Sequence, residues 1–137
     1  MVWTLSLTIT QGDLMTSARE IQHELIPLGR HLREAIPDVY AGYAGLQRTA
    51  MGDGALPARI KELIALAIAV TRECDGCVAA HARSAAQRGA SAQEVAEAMG
   101  VAILMNGGPG TVWGPRAYAA FAEFAGGASG GRVAHGG

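Results

Sequence analysis

Eight consecutive apolar residues at 63–70, Leu-Ile-Ala-Leu-Ala-Ile-Ala-Val, constrain this chain more than any other feature. The run is far short of the ~18 residues that a membrane span needs. Wound into a helix it is apolar all the way round, which marks a helix buried on every side. The chain must surround it with other elements, and in so small a domain neighbouring subunits are expected to complete the shelter. The length, 137 residues, suits one domain. Half of those residues are hydrophobic, only 5% are aromatic, and 19 are glycine. The core is therefore built from small and aliphatic side chains packed closely.

The pattern on either side is helical. Ile21, Leu25, Leu28, Leu32 and Ile36 form one stripe at helical spacing. Pro27 lies within it and is expected to kink or split the helix. Pro37 opens a second helix, where its missing N–H costs nothing. The face of that helix is Tyr40, Tyr43, Leu46 and Met51, and Gly52, Asp53 and Gly54 end it. The third helix, holding the apolar run, extends from about Pro57 to Arg72, and the fourth from about Cys74 to Arg88, with Gly89 as its stop. Ser91 and Glu94 form a capping box that starts the fifth, with Val95, Met99, Ala102 and Ile103 inward. Residues 106–110, Asn-Gly-Gly-Pro-Gly, are a hard break. A sixth helix then carries Trp113, Ala117, Phe121 and Phe124. Residues 2–10 alternate with period two as a strand does, but without a partner strand. The expectation is an all-α domain of about six helices over residues 15–126, a variable leader at 1–14 and a disordered Gly-rich tail at 127–137.

Several function classes fall away on charge. With 11 basic and 12 acidic residues the net charge is −1, without the basic footprint of a nucleic-acid binder. No apolar segment is long enough for a membrane span. Residues 1–10 lack the positive charge of a secretory signal, so a reducing cytoplasm is the expected compartment. Cys74 and Cys77 are the only cysteines, too few and too close for a secreted disulfide scaffold.

Those two cysteines carry the chemistry. At 100° per residue Cys77 lies about 60° from Cys74 around the helix, with His81 between them at about 20°. Cys77 and His81 are direct neighbours at i and i+4. Cys74 sits in the first turn, where the helix dipole favours a thiolate, and a Cys-x-x-Cys spacing lowers a thiol's pKa. His81 can take a proton from Cys77 and return it to a leaving group. If Glu62 folds back onto this face from the third helix, it can hold the imidazole in one tautomer. The arrangement suits thiolate attack on an electrophilic oxygen or sulfur, followed by closure of a Cys74–Cys77 disulfide.

The pattern Glu62-x11-Cys74-x2-Cys77-x3-His81 resembles the carboxymuconolactone decarboxylase superfamily, in its alkyl hydroperoxidase D-like branch. The resemblance spans roughly residues 55–124. It includes residues 56–67 (LPARIKELIALA), Gly89-Ala90 before the fifth helix, and the break at 105–109. It implies an all-helical fold built for oligomer assembly, as homotrimers or homohexamers, and a thiol-dependent peroxidase or disulfide reductase. By resemblance Cys77 attacks the hydroperoxide, Cys74 resolves it, and Glu62 and His81 relay the proton, with no cofactor or metal. The reductant is then a dithiol, a lipoyl group or thioredoxin-like protein, and a peroxiredoxin can be a client. One departure is plain: well-known members place a histidine just before the second cysteine, where this chain has Gly76.

Plainer readings compete with each assignment. The cysteines could form a passive disulfide or, with His81 and Glu62, hold a zinc ion. Zinc motifs usually draw their ligand pairs from separate elements, whereas three of these candidates share one helix. Glu62 could be a first-turn acid complementing the helix dipole. His23, His31 and His135 receive no role, the Trp113 and Phe121 stripe is core or subunit contact, and Met99 and Met105 are core filler. Two other functional classes stay open: a decarboxylase-type lyase using histidine as acid and base, and a non-catalytic oligomer that binds a metal or partner. A second thiol three residues from the first has no use in proton abstraction alone.

Overall fold

The computed structural model describes residues 16–128, all in helices and short connections. The strand-patterned leader lies outside them, as does the tail from residue 129. Six helices follow in order: α1 (Ala18–Ala35), α2 (Pro37–Met51), α3 (Ala58–Thr71), α4 (Asp75–Gln87), α5 (Ala92–Asn106) and α6 (Gly108–Ala128). None is long and apolar enough to cross a membrane.

Local chemistry sets the boundaries. Ser17 caps α1: its hydroxyl accepts from the Glu20 amide at 3.1 Å, and the Glu20 carboxylate accepts from the Ser17 amide at 2.9 Å. The expected box at Ser91 and Glu94 starts α5 in the same way. Pro57 cannot cap α3 with its side chain, and Asp53 does so from five residues back, accepting from the Ala58 amide at 2.7 Å. Gly89 (φ 81°) leaves α4 in the left-handed conformation, which glycine adopts without a Cβ penalty.

The core is made of α3, α4, α5 and α6, with Leu66, Val70 and Val95 its largest fully buried side chains. Ala79, Ala82 and Ala85 of α4 and Ala117 of α6 are also buried, so these two helices pack through small residues. At the α5–α6 crossing, a Cβ on Gly110 would stand 2.8 Å from the Ile103 Cα, so only glycine fits there. Met99, Phe121 and Phe124 are buried as expected, with Trp113 packed against them in part.

Five expectations are corrected. Pro27 does not split α1, which runs through it as one helix; its exposed position spares the core the loss of one backbone hydrogen bond. The break at 106–110 narrows to one residue, Gly107 (φ 66°), because that glycine alone turns the chain between α5 and α6. Helix α6 runs to Ala128, into the start of the stretch at 127–137 expected to be a disordered tail. Met105 is not core filler: it is 77% exposed on the outer face of α5. Finally, α3 is not covered all round, since Ile64 and Ile68 face outward, half-exposed.

The last correction belongs with α1 and α2. Leu28 and Leu32 of the α1 stripe are 57% and 52% exposed, and α2 buries no residue at all, leaving Tyr43 and Leu46 open. Among the described residues nothing covers these apolar faces. Exposed apolar surface on this scale marks an interaction face, and another copy of the chain is its expected cover. Sedimentation should give a mass that is a multiple of 14.1 kDa, and the double variant Leu28→Glu, Leu32→Glu should shift it towards one chain. A wild-type species of single-chain mass would remove this expectation.

Candidate functional site

The site is assembled by the hairpin of α3 and α4. Helix α3 ends at Arg72, and Glu73 takes a left-handed φ of 52°. That conformation is uncommon outside glycine. It allows the Cys74 amide to donate back to the Ala69 carbonyl at 3.2 Å and Glu73 to donate to Val70 at 3.1 Å. The chain reverses within three residues, and Cys74 arrives as the N-cap of α4.

At that position Cys74 and Cys77 are joined as a disulfide, with Cα atoms 5.2 Å apart. The Cys74 Sγ also accepts from the Cys77 amide at 3.3 Å, the contact of an N-cap. Cys77 is exposed and Cys74 is half-buried. A sulfur held at the end of a helix faces amides without intrahelical partners, and a thiolate released there by reduction meets favourable charge.

His81 lies one turn beyond Cys77 on the same face. Its Nδ1 is 2.8 Å from Glu62 Oε2 across the hairpin. Glu62 is only 4% exposed and sits in the second turn of α3, so it is not a first-turn acid serving the helix dipole. A carboxylate only accepts hydrogen bonds. Facing one, Nδ1 carries the hydrogen, and in the neutral ring Nε2 then holds the lone pair, the form of imidazole that can take a proton from a thiol. All four residues expected from the sequence therefore occupy one seam, in two direct contacts: a bonded sulfur pair, and a histidine on a buried carboxylate.

Two residues of this seam were not expected. Arg88 closes its far end, with Nε 3.6 Å from Glu62 Oε1. The signal was present: seven residues beyond His81, Arg88 falls within about 20° of it on a helix. Leu25 of α1 is the other. A Cβ at Gly76 would lie 2.8 Å from its Cδ1, so Leu25 occupies the space of any side chain at that position. The glycine before the second cysteine thus goes with a close approach of α1 to the sulfur end of α4. Among the described residues no group of three or more His, Cys, Asp or Glu side chains is placed to hold a metal ion. His23 and His31 are exposed on α1, and His135 is outside the described residues.

The sequence profile of the carboxymuconolactone decarboxylase family matches residues 37–123. An uncharacterized protein of Cupriavidus necator is 38% identical over 109 residues, covering 80% of this chain and 93% of the relative. An uncharacterized protein of the cox locus of Paracoccus denitrificans is 33% identical over 84 residues, 61% of this chain and 76% of the relative. The crystal structure of an apo carboxymuconolactone decarboxylase family protein from Legionella pneumophila superposes with a TM-score of 0.78 at 32% identity. It covers 81% of this chain and 99% of that one.

The contact between Leu25 and Gly76 gives a test of how tightly α1 seats on the site. Gly76→His should be accommodated by displacement of the half-exposed Leu25 side chain at a cost of about 1 kcal/mol or less, and adding Leu25→Ala should remove that cost in a denaturant titration. Equal costs of Gly76→His in the two backgrounds would show that the residues do not compete for space.

Proposed function

The chain belongs to the carboxymuconolactone decarboxylase family, and on that premise we propose that it is a dithiol-dependent hydroperoxide reductase of the alkyl hydroperoxidase D-like kind. The observation that carries this reading is the bonded Cys74–Cys77 pair at the tip of α4, one turn from a histidine held by a buried carboxylate. In the reduced protein, His81 takes the Cys77 proton and the thiolate attacks the terminal peroxide oxygen. The O–O bond breaks, Cys77 becomes a sulfenic acid, and the alkoxide leaves as the alcohol after taking the proton back from His81. The Cys74 thiol then attacks the Cys77 sulfur, water leaves, and the disulfide forms. The peroxide has been reduced by two electrons and the protein oxidised by two. An external dithiol, a lipoyl group or a thioredoxin-like protein, reduces the disulfide by exchange and is itself oxidised. A peroxiredoxin disulfide is an alternative oxidant for the same pair, and assembly as a homotrimer or homohexamer would cover the open faces of α1 and α2.

The family's name also suggests a lyase, with His81 alternating as base and acid. That chemistry has no use for the second sulfur, which is why the redox reading is preferred.

The two thiols have separable fates. Cys77→Ser should reduce turnover of cumene hydroperoxide with dihydrolipoamide to background. Cys74→Ser should still consume about one peroxide per chain and then stall at the sulfenic acid. His81→Ala should lower kcat/KM by about 10²-fold or more, the scale of general acid–base catalysis. Stoichiometric peroxide should remove about 2 Da from the reduced peptide holding both sulfurs. Serine variants as active as the wild type would refute the redox reading.

A further inference from the structure

We infer that Arg88 is a positioning residue: by holding the second oxygen of Glu62, it leaves His81 neutral and able to act as a base. Its consequence for turnover rests on the redox reading above; the charge arrangement does not.

Glu62 is the only charged side chain buried among the described residues. A buried carboxylate needs a compensating charge, because desolvation otherwise favours its neutral form. Two groups of α4 face it, one on each oxygen: the His81 Nδ1 on Oε2 at 2.8 Å and the Arg88 Nε on Oε1 at 3.6 Å. Its charged neighbours on α3 are engaged elsewhere. Lys61 donates to the Gly52 carbonyl at 2.5 Å, and Arg59 pairs with Glu94 of α5. Among the described residues no ion pair reaches Glu62 or His81 from α1, α2, α5 or α6. On α4 itself, Arg83 lies on a different side, lining a cleft of about 240 Å³ with Arg19 and Phe124. Cys77 lies one turn before His81 on α4 and becomes ionisable once the disulfide is reduced.

The two partners of Glu62 are not equivalent. A guanidinium keeps its proton under all conditions a protein meets, whereas an imidazole supplies positive charge only by binding one. With Arg88 in place the carboxylate has a permanent counter-charge, and His81 need contribute only a neutral N–H. Without Arg88 the counter-charge must be a proton, carried by His81 as imidazolium or by Glu62 itself. An imidazolium has no lone pair with which to accept the Cys77 proton. Arg88 is about half exposed, so solvent screens its charge and the effect is a shift in the population of two His81 forms, not a complete exchange.

The experiment is ¹⁵N NMR of the histidine rings in the full chain at pH 7, with the four histidines resolved by difference against His81→Gln. Wild type should show the neutral Nδ1–H tautomer at His81. Arg88→Gln should raise its ratio of imidazolium to imidazole by about threefold or more, and Arg88→Lys, which keeps the charge, should return the ratio towards wild type. The cumene hydroperoxide rate should fall as the imidazolium ratio rises, with the ascending, acidic limb of the Arg88→Gln profile displaced to higher pH. Three results would overturn the inference: imidazolium at His81 in the wild type, an unchanged ratio in Arg88→Gln, or a lysine variant indistinguishable from glutamine. If the ring spectra behave as expected but no hydroperoxide is turned over by the wild type, the redox reading fails and the charge arrangement survives.

Discussion

Everything in the site follows from one costly placement, a carboxylate at the head of an apolar helical run, buried against the neighbouring helix. Glu62 immediately precedes the run 63–70, so it cannot reach solvent without pulling α3 out of the core. Its two oxygens are met by His81 of α4 and by Arg88, the residue that closes the C-terminal end of that helix. Removing one partner from a buried pair leaves a charge uncompensated, which typically costs about 3–5 kcal/mol. The carboxylate therefore pins the register of α3 against α4, and with it the place where the sulfurs emerge.

The turn between those helices works to the same end. Glu73 accepts a left-handed backbone so that α4 can start at once, with Cys74 at its cap instead of in a flexible loop. Alanines at 79, 82 and 85 of α4 are buried where the helix packs into the core of α3, α5 and α6. The two sulfurs and His81 are thus mounted on one helix, joined to α3 by a short connection and packed through small residues. Leu25 adds a wall from α1, in the space left open by the absence of a side chain at Gly76.

Outside this seam the chain is less self-sufficient. The same stripe that makes α1 a helix remains half-exposed beyond Leu25, and α2 contributes nothing to the core. Amphipathicity specifies that a face is to be covered, but not by which molecule. Ile64 and Ile68 illustrate this: periodicity places them in an apolar run, yet among the described residues both stay about half exposed.

Local rules were enough for much of this protein. Helix number and order, the Ser91 cap, the inward face of α6 and the shared face of Cys74, Cys77 and His81 all follow from spacing within a single segment, because helical geometry relates residues a few positions apart. The family resemblance pointed to Glu62 as well. Tertiary structure decided what spacing cannot reach. It determined that Glu62 and His81, nineteen residues apart, are in contact, that Arg88 completes the charge balance, that Leu25 stands where a side chain at 76 would be, and that the apolar faces of α1 and α2 stay open. The physical reason is the same in each case. These are relations between helices, set by how close two backbones come and by which buried charge must find a partner, and no periodicity within one helix encodes them.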